Sequence, residues 1–154
     1  MNPGKKSYTV QEIKSKLEFY CAYQDRCHQE IEKKLNDYFL IDEARDEIIL
    51  SLMKDNFLNE ERFAKSYARG RFYQKSWGRI KIKHGLKSKG ISSYLIDVAL
   101  KEIDSNDYYS ALEKLIEKKK KELKEEDSFK KKQKLFSFLG NKGYEFEIIK
   151  ELLD

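Results

Sequence analysis

RIKIKHGLKSKGISSYLIDVAL, residues 79–100, decides how this chain folds. Its first half reads two ways. Ile80 and Ile82 alternate with Arg79, Lys81 and Lys83 as in an edge strand, while Ile82 and Leu86 form a helical i, i+4 pair. Its second half reads one way. Gly90 ends one segment, Ser92 or Ser93 caps the next, and Leu95, Ile96, Ala99, Leu100 and Ile103 make a helical apolar face. A copy elsewhere resolves the first half. At a constant offset of 53, Ile82, Leu86, Gly90, Ile91, Leu95, Ile96, Ala99 and Leu100 align with Leu135, Leu139, Gly143, Tyr144, Ile148, Ile149, Leu152 and Leu153. Both copies keep the i, i+4 spacing, so the segment is read as helix.

A weaker copy, at an offset of 51, aligns Leu35, Leu40, Ala44, Ile48 and Ile49 with Leu86, Ile91, Leu95, Ala99 and Leu100. Each unit is then three helices. Self-similarity at this period marks an array whose units bury apolar surface within themselves and against their neighbours. The reading is an all-α, elongated and curved tandem array of three three-helix repeats, spanning residues 8–56, 57–104 and 105–154.

Local signals outside the repeat agree. Thr9 and Glu12 form a capping box, and Val10, Ile13, Leu17 and Tyr20 recur at helical spacing, predicting a helix from about 10 to 25. Ile31, Leu35 and Tyr38 predict a second helix. Asp42 opens a third, lined by Ala44, Ile48, Ile49 and Leu52, with Asn56 suited to its C-terminal end. Asn59 caps the helix starting at Glu60, with Phe63, Ala64, Tyr67 and Ala68 inward, and Ser76-Trp77-Gly78 breaks it. Asn106 opens a helix through Tyr108, Leu112 and Leu115. Asp127 or Ser128 caps another through Leu139, and Gly140 to Gly143 makes a turn before the last helix.

Composition supports helices. One proline and seven glycines in 154 residues are too few for the turns of a sandwich, and 38% charged residues suit solvated helix faces. No run of about 18 apolar residues could span a bilayer, and residues 1–6 lack the apolar core of a signal peptide, so a cytoplasmic protein is expected. Cys21 and Cys27, placed on one helix, would point about 240° apart at ~100° per residue and could not share a metal. They are read as ordinary thiols. His28 and His84 have no partners at metal-site or triad spacing, and no phosphate loop or nucleophile elbow occurs. No catalytic residue, metal or cofactor is expected.

Charge is distributed unevenly. The net charge is +5, but residues 30–61 hold ten acids against four bases, while residues 62–96 hold ten bases and no acid. A field of one sign attracts polyanions. Arg69, Arg71, Lys75, Arg79, Lys81, Lys83, Lys87 and Lys89 are the candidates for phosphates or acidic protein surface, arginine as a fork and lysine as a point charge. Trp77 joins them as a candidate, open between packing between repeats and stacking outward. The Lys118–Lys121 run is discounted, because Glu117, Glu122, Glu125, Glu126 and Asp127 surround it.

Phe57-Leu58-Asn59-Glu60-Glu61-Arg62-Phe63-Ala64, with Tyr67 and Arg69, then Trp77-Gly78-Arg79-Ile80-Lys81-Ile82 and Leu86-Lys87-Ser88-Lys89-Gly90-Ile91, resembles the central signature of the RecX family, regulators of bacterial RecA recombinase. Lys134 to Leu139 and Lys142-Gly143-Tyr144 resemble that family's C-terminal pattern. In the first unit Tyr38-Phe39 stand where the other copies have Lys-Gly. The resemblance implies a monomeric tandem-repeat protein lying in the groove of the RecA filament on single-stranded DNA. It further implies inhibition of filament extension, ATPase, strand exchange and co-protease activity, in recombination, repair and the SOS response. Affinity for bare single strands would be weak and salt-sensitive. Reversing Arg69, Arg79 and Lys83 to glutamate is expected to abolish suppression of the ATPase without unfolding the protein. The alternative is a stand-alone helical protein reading duplex DNA through its basic unit.

Overall fold

The computed structural model describes residues 7–154, and the expected all-α tandem repeat array is what it shows. Residues 1–6, read above as carrying no signal peptide, lie outside the described part. Among the described residues nine helices run in order: α1 Val10–Tyr23, α2 His28–Leu35, α3 Asp42–Lys54, α4 Glu60–Lys75, α5 Arg79–Ser88, α6 Ser93–Leu100, α7 Ser105–Glu122, α8 Ser128–Asn141 and α9 Phe146–Leu153.

Side-chain acceptors start most of them, because the first N–H groups of a helix have no partner within it. Thr9 and Glu12 close the capping box of α1. Asn59 accepts from Arg62 N, Ser92 from Leu95 N and Asp104 from Asp107 N, while Asp127 accepts from Phe129 N and Lys130 N. Left-handed residues follow the ends of α3, α4, α5 and α8. Asn56 and Ser76 have φ of 61° and 58°, and Gly90 and Gly143 have 77° and 97°. Boundaries differ from expectation in two places, one set by packing and one by a local cap. Tyr38 lies beyond α2, buried with the first core and edge-on to Tyr8, and α7 begins at Ser105 because Asp104, not Asn106, supplies the cap.

Equivalent helices bury equivalent positions. Ile13, Leu17 and Cys21 of α1 correspond to Ala64, Ala68 and Phe72 of α4 and to Tyr108, Leu112 and Ile116 of α7. Ile31 and Leu35, Ile82 and Leu86, and Leu135 and Leu139 do the same for the second helices. Each fully buried leucine or isoleucine among them is worth ~1.5–3 kcal/mol. Two cores result. One holds α1–α3 with Leu58; the other runs unbroken from Phe63 to Ile149 and also takes in Cys27.

The cysteines are not on one helix. Cys21 is on α1 and Cys27 caps α2, each buried and each in a different core, and both are free.

Candidate functional site

The basic middle unit is organised around the turn between α4 and α5. Ser76 takes the left-handed conformation, and Trp77 N donates to Arg71 O at 3.0 Å, so α4 ends with Trp77 turned back along its last turn. The third unit clamps that turn. Lys142 Nζ donates to Lys75 O at 3.1 Å and the Tyr144 hydroxyl to Ser76 O at 2.9 Å. Gly78 N donates to Lys142 O at 2.7 Å and Ile80 N to Gly143 O at 2.9 Å. The N-terminus of α5 is therefore capped by carbonyls at the C-terminus of α8, a favourable meeting of opposite helix-dipole ends.

Trp77 meets both the core and the cations of this turn. It is half-buried against the larger core and edge-on to Tyr67, with ring centroids 6.5 Å apart. Three cations surround its ring: Lys81 at 4.4 Å, Arg71 at 5.3 Å and Lys75 at 6.0 Å. Arg71 also lies over Tyr67, at 4.4 Å, and its Nε is buried without a hydrogen-bond partner. None of Arg71, Lys75, Lys81, Lys83 and Lys87 has a described carboxylate within 4.0 Å. Lys83 and Lys87 are exposed on α5, flanking the buried row of Ile82 and Leu86.

The remaining three cations are committed elsewhere. Arg69 pairs with Glu102 at 2.6 Å, joining α4 to the end of α6. Arg79 pairs with Glu145 at 2.9 Å and lies 3.8 Å over the ring of Tyr108, joining α5 to α7 and α9. Lys89 reaches Glu30 at 3.8 Å across the joint between the first two units. The nine candidates thus do not form one set, because residues 69 and 71, two apart on a helix, point ~200° from each other. Reversing Arg69 and Arg79 would break joints as well as change surface charge.

Tyr108 completes the joint between the second and third units. Its hydroxyl accepts from Arg79 N at 2.9 Å and donates in a short hydrogen bond to Glu145. Burial, then donation to Glu145, pushes its ionisation far above the ordinary phenol range, and burial does the same for Tyr144. Sequence reasoning missed Lys142 and Tyr144 as neighbours of Trp77 because they lie 65 or more residues away. The signal was present in Gly143, the copy of Gly90.

The lysine run on α7 is less neutralised than its acidic neighbours suggested. Lys119 lies 3.9 Å from Glu122 and 4.6 Å over Phe138, while Glu125 pairs with Lys134 of α8 instead. Among the described residues no group of three His, Cys, Asp or Glu could hold a metal, and no helix is long and apolar enough to cross a membrane.

Comparison with known proteins finds relatives of this arrangement. The chain matches the second three-helix domain of RecX over residues 59–100 and the third over residues 106–153. It is 37% identical over 124 residues to the regulatory protein RecX of Clostridium perfringens, covering 79% of this chain and 58% of that one. With the regulatory protein RecX of Bacillus mycoides it shares 32% over 135 residues, covering 88% and 50%. The chain therefore spans about half to three fifths of the length of these curated relatives. The crystal structure of RecX from Lactobacillus salivarius superposes with a TM-score of 0.85 at 25% identity, covering 94% of each chain.

Proposed function

We propose, from the premise that this chain belongs to the RecX family of regulatory proteins, that it acts in the cytoplasm as a monomer on the RecA filament assembled on single-stranded DNA. By occupying that filament it inhibits extension, ATP hydrolysis, strand exchange and co-protease activity, in recombination, repair and the SOS response. It acts by binding, with no chemistry of its own. The observation that carries the reading is the Trp77 turn. A ring clamped in place by the third unit carries Arg71, Lys75 and Lys81 around it, none engaged by a described carboxylate. These cations are available to phosphate or to acidic protein surface, while Lys83 and Lys87 stand on another face of α5 from Lys81.

An array suits a polymer. Successive repeats can engage successive subunits, and each linked contact raises the effective concentration of the next. Weak affinity for bare DNA and strong affinity for the filament follow.

The test titrates RecA filament ATPase with the wild-type protein and with an R71E/K75E/K81E variant, and measures binding to filament, bare single strand and duplex at several salt concentrations. The variant should lose at least tenfold in inhibition. Its salt slope on single strands should fall by about 2, at ~0.7 per phosphate contact. Equal affinity of the wild type for filament and bare DNA would reject the filament reading. Tight sequence-specific duplex binding would favour the stand-alone duplex reader.

A further inference from the structure

The first unit is acidic overall, yet the groove between α1 and α2 is lined by cations and aromatic rings with no carboxylate. Ser15, Phe19 and Tyr23 recur every four residues on α1, away from the buried row Ile13, Leu17 and Cys21. Phe19 and Tyr23 are 75% and 78% exposed, so the core does not require them. Around them stand Lys16, Arg26 and Lys34. Arg26 is fixed by its Nε donating to Tyr20 O at 3.1 Å and by lying 3.6 Å over the Tyr20 ring, with Lys34 at 5.4 Å from the same ring. Lys16 lies 4.8 Å over Tyr8, and Lys34 is also 3.6 Å from Asp37 at the rim. The groove encloses about 660 Å³.

We propose that this α1–α2 groove is a second binding site for single-stranded nucleic acid, with bases stacking on Phe19 and Tyr23 and phosphates meeting Lys16, Arg26 and Lys34. Exposed rings flanked by cations are the arrangement that binds single strands without reading sequence, because every base has a face and every nucleotide a charge. An acidic peptide would use the cations and leave both rings idle. The place in the repeat argues the same way. The seam between the first and second helices carries cations over rings in all three units: here, at Trp77, and between α7 and α8, where Lys119 covers Phe138 beside Phe129 and Phe136. A repeated notch suits a chain with a repeated phosphate and base. The site needs no recombinase, so it stands or falls apart from the filament reading.

The test uses the full chain and no recombinase. Fluorescence anisotropy measures affinity for oligothymidylate, for an abasic oligonucleotide of equal length and for oligoglutamate, with the wild type, F19A/Y23A and F19W/Y23W, after circular dichroism shows unchanged helicity. F19A/Y23A should weaken oligothymidylate binding at least fivefold and leave the other two probes within twofold, while F19W/Y23W retains wild-type affinity. A loss smaller than fivefold on oligothymidylate, or an equal loss on the abasic strand or oligoglutamate, overturns the proposal. Should F19A/Y23A fail to fold, F19W/Y23W must show tryptophan quenching by oligothymidylate beyond that of the wild type, whose single tryptophan is Trp77, and no such excess with the abasic strand; absence of that difference overturns it equally.

Discussion

At the scale of single residues, the informative side chains are those that are both charged or polar and committed. Tyr108 is fully buried, and its hydroxyl serves Arg79 N and Glu145 at once. Y108F leaves the Arg79 N–H without that acceptor, a buried-donor cost of ~1–3 kcal/mol, and at this chain length each ~1 kcal/mol lowers Tm by ~2–4 °C. Calorimetry of the two proteins measures it; an unchanged Tm would remove Tyr108 from the joint. The ionisable groups also set an alkaline limit. Burial pushes the Cys21 thiol from 9.0 to about 11, and it holds the Tyr108 and Tyr144 phenols above their ordinary 10.0. All three are protonated more firmly when folded, so their contribution is complete below the unfolded values. It is lost as pH rises, from about 9 to 11 for Cys21 and above 10 for the tyrosines. Urea midpoints should therefore decline above pH 9, and Y108F/Y144F should decline less steeply above pH 10 than the wild type. Equal slopes would refute the assignment.

At the scale of elements, the contacts between helix ends matter more than the helices themselves. Gly143 has φ of 97°, and a Cβ there would stand 2.3 Å from Lys81 Cβ and 2.6 Å from Lys81 N. A Cβ on Gly78 would stand 2.3 Å from Gly143 C. Backbone cannot yield to either, so G78A and G143A should each destabilise by ~3 kcal/mol or more and disturb the Trp77 turn. Gly70, inside α4, has nothing within 4 Å of such a Cβ, and G70A should stabilise by ~0.5–1 kcal/mol. Thermal melts of the three variants check the contrast, and a G143A protein as stable as G70A would contradict the close contact of α5 with α8. Sequence reached this joint only in part. It marked Gly90 and Gly143 as equivalent helix stops, but it could not show that Gly143 meets Gly78 in the preceding unit. Ile80 and Ile82 show the limit of a local signal, since their alternation fits a strand and only the distant copy shows helical spacing.

At the scale of the molecule, the two joints differ. Between the second and third units backbone caps backbone, and one core crosses the boundary. Between the first and second, side chains make the contact: Arg62 to Asp25 at 2.6 Å, Lys89 to Glu30 at 3.8 Å and His28 N to Glu60 at 3.2 Å, with Cys27 the first unit's buried residue in the larger core. Array stability is a sum of unit and interface terms, and the unit with the lesser interface opens first. Native-state hydrogen exchange should show α1 and α3 opening together at lower free energy than α4–α9. Uniform protection across all nine helices would contradict a separable first unit.

The order of the helices, most of their caps, the threefold repeat and the excess of positive charge in its middle were determined by the sequence alone, because each depends on residues within a few turns of one another or on a pattern that recurs along the chain. Which cations are free was decided only by tertiary structure. Arg69, Arg79 and Lys89 look like Arg71, Lys75 and Lys81 until Glu102, Glu145 and Glu30 are brought beside the first three. The groove of Phe19 and Tyr23 likewise exists only once α2 lies against α1. Charge availability is a property of neighbours in space, and folding chooses those neighbours from distant parts of the chain.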